Sequence, residues 1–97
     1  MYTIKVTRLN KVFGFAITFR VFVDGEELGR VGNGKTIECT VKEAGEHTVT
    51  IKSVEEDFNQ IVTLNDNQNE VEIFFSVSMG LVAGRPNVKE IRYSKKW

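Results

Sequence analysis

The chain has 97 residues, enough for one domain and too few for two. Hydrophobic residues make up 41% of it, and thirteen lysines and arginines balance thirteen aspartates and glutamates, so it has the material for a core and no global field to draw it to nucleic acid or an anionic membrane. The single cysteine, Cys39, excludes an intramolecular disulfide scaffold, and no run approaches the roughly 18 apolar residues of a membrane helix.

The dominant period along the chain is two, the period of strands. Ile4 and Val6 alternate with Thr3, Lys5 and Thr7, predicting a first strand over about 2–9. Ile17, Phe19, Val21 and Val23 continue the pattern, and the first strand is expected to fold back on 15–23 through residues 10–14. Asp24-Gly25 is a two-residue hairpin signal, because a type I′ turn needs positive φ at both positions. Asn33-Gly34 is a second such signal, and Glu43-Ala44-Gly45 fits a three-residue loop with glycine in the left-handed position. Together the three turns pair Val21 with Leu28, Leu28 with Cys39, and Cys39 with Val49, always apolar against apolar. They predict a meander over about 15–52; the rival is that the short Leu28 strand crosses to a second sheet.

Ser53 to Phe58 tolerates at most a turn of helix. Val62 and Leu64 mark the next strand, and Asn65 to Asn69 reads as a polar loop between two antiparallel strands. Val71, Ile73, Phe75 and Val77 follow. A glycine-bounded apolar loop runs from Gly80 to Asn87, with Pro86 lying between strands, and the last strand falls at about 88–93. Seven or eight short strands with turns every ten residues or so predict an all-β, antiparallel two-sheet sandwich, one domain over 1–97.

Little in the sequence points to catalysis. One histidine and one cysteine, His47 and Cys39, would sit diagonally on neighbouring strands at about 7 Å between Cβ atoms. A thiolate–imidazole pair needs a hydrogen bond near ~3 Å, so both are read as inward-facing sandwich residues, with His47 near the rim. A structural zinc site needs four cysteine or histidine ligands, and the chain has two. Asp66, Asn67, Asn69 and Glu70 lack calcium-loop spacing, and Gly32-Asn33-Gly34-Lys35 lacks phosphate-loop spacing. No cofactor is implied.

The candidate partner surfaces are few. Phe22 and Phe74 have the wrong parity for the inner face of their strands. Leu81 and Val82 stand in the apolar loop with Arg85, and Trp97 ends the chain. Aromatic and basic residues together can also stack sugars.

Phe22-Val23-Asp24-Gly25, then Leu28-Gly29, then Ala44-Gly45-Glu46-His47-Thr48-Val49 resemble small bacterial β-domains of the PEGA-like kind, with Ala44 where those domains carry proline. Arg8, Gly14 and Asn33-Gly34 look like positions in short bacterial chains of similar length. The resemblance covers about a third of the chain and implies an immunoglobulin-like sandwich serving as an interaction or accessory module, with no catalytic residues to carry over. The expected function is therefore a non-enzymatic binding module with a protein partner. The alternative is a small-ligand, carbohydrate-binding domain using Trp97 or an exposed phenylalanine. A loop-inserting protease inhibitor is a third reading, although its Asn-Pro-Thr-Thr-Gly motif is absent. The alternating start Met1-Tyr2-Thr3-Ile4-Lys5 is unlike a signal peptide. A cytoplasmic location is expected for the chain as written, and envelope association if it belongs to a longer one.

Overall fold

Because strand side chains point alternately to opposite faces, every other residue of this chain can be buried between two sheets while its neighbours stay in water. The computed structural model of the chain describes residues 1–9, 18–53, 57–79 and 84–96. Among them are eight strands: β1 (Tyr2–Arg8), β2 (Phe19–Val23), β3 (Glu26–Val31), β4 (Thr36–Val41), β5 (Gly45–Lys52), β6 (Phe58–Leu64), β7 (Glu70–Met79) and β8 (Gly84–Ser94). They form two four-stranded sheets, ordered β4-β1-β7-β8 and β3-β2-β5-β6, and the protein is a two-sheet sandwich. All pairings are antiparallel except β1 with β7, which is parallel.

The core is the inner row of both sheets. β1 supplies Ile4 and Val6, β2 supplies Phe19, Val21 and Val23, and β5 supplies Val49 and Ile51. β7 contributes most, with Val71, Ile73, Phe75 and Val77. Phe19 and Phe75 meet edge to face across the sheets, with ring centres 5.6 Å apart, an arrangement that the ring quadrupoles favour. Arg8 continues the inward parity of Ile4 and Val6 and is fully buried, its guanidinium 5.2 Å from the centre of the Phe19 ring. Burial lowers its pKa.

The turns behave partly as their residues predict. Asp24 and Gly25 both have positive φ, 51° and 86°, and close the β2–β3 hairpin. The pairing near the turn sets Val23 against Glu26 and Phe22 against Glu27. Leu28 is then an extra residue: Val21 faces Gly29, not Leu28. This bulge carries Gly29 at φ 149° and changes the parity of β3, so that Leu28 and Val31 both turn towards the core.

The other turns lead elsewhere than expected. At Asn33-Gly34 only Gly34 has positive φ, 71°, and the Lys35 N–H donates to the Gly32 carbonyl at 3.1 Å. That is a turn with glycine at its third position rather than a type I′ hairpin, and it sends the chain from the β3 sheet to the β1 sheet. Gly45 has the expected positive φ, 106°, but the Glu43-Ala44-Gly45 loop returns the chain to the β3-β2-β5-β6 sheet instead of joining neighbours. The meander over 15–52 is thus replaced by two crossings. The strand that changes sheet is β4, while β3 stays beside β2. β1 pairs with β4 and β7 and not with β2, and residues 65–69 connect strands of different sheets. The last strand is longer than expected and contains Pro86, opposite Val77. β8 tolerates proline because it is an edge strand. The central part of the expected helical turn, residues 54–56, lies outside the described residues.

Candidate functional site

A sandwich has two flanks, each where an edge strand of one sheet lies over an edge strand of the other. Here the flanks are β3 with β4 and β6 with β8. They differ in construction. On the β6–β8 flank the Tyr93 hydroxyl of β8 accepts a hydrogen bond from the Thr63 backbone N–H of β6 at 3.1 Å, which closes that opening with a side chain.

Among the described residues the β3–β4 flank is open. Between its strands lies a hollow of about 280 Å³, with Leu28, Cys39 and Val41 giving apolar surface and Asp24, Glu26 and Glu27 acidic surface. Along β4, Thr36, Glu38 and Thr40 are exposed, while Ile37, Cys39 and Val41 are only half-buried against the core. The Arg8 N–H donates to the Lys35 carbonyl at 3.0 Å. In an antiparallel ladder the N–H and C=O of one residue point the same way and alternate along the strand. The backbone groups of Ile37, Cys39 and Val41 therefore face β1, and those of Thr36, Glu38 and Thr40 face outward.

One end of the hollow is fixed by a polar lock. Asp24 sits at the tip of the β2–β3 hairpin, where its N–H donates to the Thr48 carbonyl at 2.8 Å and its Oδ1 accepts from the Thr48 N–H at 2.9 Å. Its Oδ2 lies 2.6 Å from His47 Nδ1, and His47 Nε2 lies 2.7 Å from the Glu43 carbonyl oxygen. Both partners of the ring accept hydrogen bonds, so the geometry calls for a proton on each nitrogen, the imidazolium form. Consistently, the hydrogen bond to Asp24 raises the His47 pKa against the opposing effect of burial. Burial pushes the Asp24 carboxyl upward, but its hydrogen bonds to His47 and to the Thr48 amide together outweigh that and hold it below its ordinary value.

Cys39 and His47, expected on neighbouring strands, lie on β4 and β5 in different sheets. Both ring nitrogens of His47 are engaged elsewhere, and burial, followed by the charges of Asp24 and Glu38, raises the Cys39 pKa and keeps the thiol protonated. The two do not make a thiolate–imidazole pair. In the 65–69 segment Asn65 Oδ1 accepts from the Asn67 and Gln68 amides and Asp66 accepts from the Tyr2 hydroxyl, so these oxygens hold the turn. No group of three or more possible metal ligands occurs among the described residues.

The described residues of the expected partner surfaces, Phe22, Phe74 and Arg85, are not brought together. Phe22 is half-buried on the outer face of β2, with Arg20 and Lys52 over its ring at 5.1 and 5.3 Å. Phe74 is half-buried on the outer face of the other sheet, beneath Arg92 at 4.9 Å. The wrong parity of both rings is answered by cations lying on them, which are favourable neighbours for an aromatic face. Arg85, expected in a loop, lies on β8 opposite Ser78. Leu81, Val82 and Trp97 lie outside the described residues. Sequence reasoning missed the Asp24–His47 lock and the β4 edge. Neither had a signal: aspartate is already an ordinary residue for the tight turn, and sheet membership decides the edge.

No helix among the described residues is long and apolar enough to cross a membrane. Comparison with known proteins gives no matching family model, no matching curated protein and no matching solved structure.

Proposed function

We propose that the chain is a non-enzymatic protein-interaction module of the PEGA-like kind, which takes an extended segment of a partner protein onto its open β3–β4 flank. The observation that carries this reading is the β4 edge: outward backbone groups at Thr36, Glu38 and Thr40 beside a half-exposed apolar row and a hollow. Strand addition at such an edge draws affinity from main-chain hydrogen bonds and specificity from alternate side chains. The carbohydrate reading draws no support from Phe22 and Phe74, whose rings already carry cations.

The experiment compares affinity capture by the tagged domain and by its Thr40→Pro variant, read by mass spectrometry. Proline at Thr40 removes an outward donor and leaves the ladder to β1 intact. A protein captured by the wild type and lost with Thr40→Pro supports the reading. A captured set unchanged by a folded Thr40→Pro domain would rule out the β4 edge.

A further inference from the structure

Edge strands are templates for pairing with another chain, and proteins ordinarily blunt them with bulges, prolines, lysines or a covering group. Among the described residues, three of the four sheet edges carry such a device. β3 has the Leu28–Gly29 bulge. β6 donates its Thr63 amide to Tyr93. β8 contains Pro86 and a register shift at Lys89. The fourth, β4, reads Thr-Ile-Glu-Cys-Thr-Val over 36–41, with no proline, glycine or lysine, a single charge at Glu38, and regular pairing to β1.

The geometry points to a second copy of this chain as the occupant of that edge, β4 pairing antiparallel with its counterpart about Cys39. This rests on the reading of the β3–β4 flank as a protein-binding edge. The register follows from three constraints. Outward backbone groups must meet outward backbone groups, so the two-fold axis passes through a residue and not between two. An axis at Glu38 sets this carboxylate directly opposite itself, which is unfavourable. An axis at Thr40 sets Ile37 opposite Glu43 and leaves only residues 39–41 paired within the strand. An axis at Cys39 avoids both. It sets Ile37 against Val41, Cys39 against Cys39 and Glu38 against Thr40, and beyond the strand ends it brings Lys35 towards Glu43, opposite in charge. The incoming Ile37 then falls beside Val41, at the hollow lined by Leu28 and Cys39. The two sheets containing β4 become one sheet of eight strands, closed by a self-complementary, isologous contact.

This register makes Cys39 a non-hydrogen-bonded pair with its counterpart, at about 4.5 Å between Cα atoms, inside the roughly 4.4–6.8 Å that a disulfide spans. The test uses the full chain. Sedimentation equilibrium over a concentration series reads the association, hydrogen exchange reads the Glu38 and Thr40 amides, and oxidation with diamide reads the register: two thiols lose two protons and two electrons to the diazene, which becomes a hydrazine. The expected result is a dimer in which both amides slow with concentration and diamide gives a Cys39–Cys39 cross-link. Cys39→Ser loses the cross-link and keeps the dimer. Thr40→Glu, opposite Glu38 at two symmetric sites, weakens the dimer, and Thr40→Lys tightens it, each by roughly two- to thirty-fold.

A chain that stays monomeric throughout, or a dimer with neither amide protection nor cross-linking, overturns the self-pairing. If such a chain still captures another protein in a manner abolished by Thr40→Pro, the flank remains a binding edge and only its occupant is wrong. If Thr40→Pro changes neither measurement, both readings fall.

Discussion

His47 Nδ1 and Asp24 Oδ2 lie 2.6 Å apart, joining the start of β5 to the tip of the β2–β3 hairpin across 23 residues of sequence. The pair fixes a pH window. Asp24 is held below its ordinary value, so its contribution is fully present above the unfolded carboxylate pKa, about 3.9, and is lost as pH falls through the lower native value. His47 is raised, so its contribution is fully present below the unfolded imidazole pKa, about 6.5, and is lost as pH rises through the higher native value. Stability should therefore decline as pH rises above about 6.5. Urea unfolding from pH 5 to 9 should show that decline in the wild type and a flatter profile in His47→Gln. In Asp24→Asn the His47 titration followed by NMR should move down. Equal profiles for wild type and His47→Gln would mean the ring is not charged in the native state.

Phe75 is fully buried and meets Phe19 edge to face across the sandwich. Phe75→Ala removes that contact and leaves a cavity in a core whose sheets cannot fully collapse around it. The expected cost is about 3–5 kcal/mol, read as a lower urea midpoint with unchanged slope. A cost under about 1 kcal/mol would place the ring outside the packed core.

Gly29 and Gly32 separate backbone strain from space. A Cβ at Gly29 would meet nothing within 4 Å, but φ there is 149°. Gly29→Ala should therefore cost about 1–3 kcal/mol through the backbone alone. At Gly32 a Cβ would make ordinary contacts at 3.9 Å with Lys35 and Thr18, and φ carries no such penalty. Gly32→Ala should be neutral or stabilising, up to about 1 kcal/mol. Thermal unfolding of the two variants side by side checks this, and the reverse order would place the strain at Gly32.

Cys39 should be a slow thiol. Burial and the charges of Asp24 and Glu38 raise its pKa, and only the thiolate reacts. Iodoacetamide at pH 7 should modify it several-fold more slowly in the native protein than in urea. Equal rates would show that the half-buried edge gives no protection.

How far these features can be read in the sequence depends on the feature. Inward and outward rows were legible, because a period of two survives whatever a strand pairs with; Ile4, Val21, Val49 and Ile73 all lie where alternation puts them. The Asp24-Gly25 turn was legible because both positions need positive φ. Sheet membership was not. Both sheets of a sandwich face one core, so Ile37, Cys39 and Val41 point inward equally well beside β5 or beside β1. Apolar pairing across a hairpin therefore could not distinguish a meander from two crossings. Arg8 was legible in principle, since it shares the parity of the buried Ile4 and Val6. The lock was hidden because it joins a turn residue to a strand residue of another hairpin.

The parallel pairing of β1 with β7 places the first described strand in the middle of its sheet, flanked by β4 and β7. During synthesis, all the strands of the β3-β2-β5-β6 sheet have emerged by residue 64, yet β1 cannot be enclosed until β7 exists. β1 is thus made before every strand of the other sheet yet enclosed after them, and it waits on a contact more than sixty residues away, Ile4 to Val71. Such long closures slow folding. They also make β1 a keystone: removing it would not trim an edge but would part β4 from β7 and split the sheet.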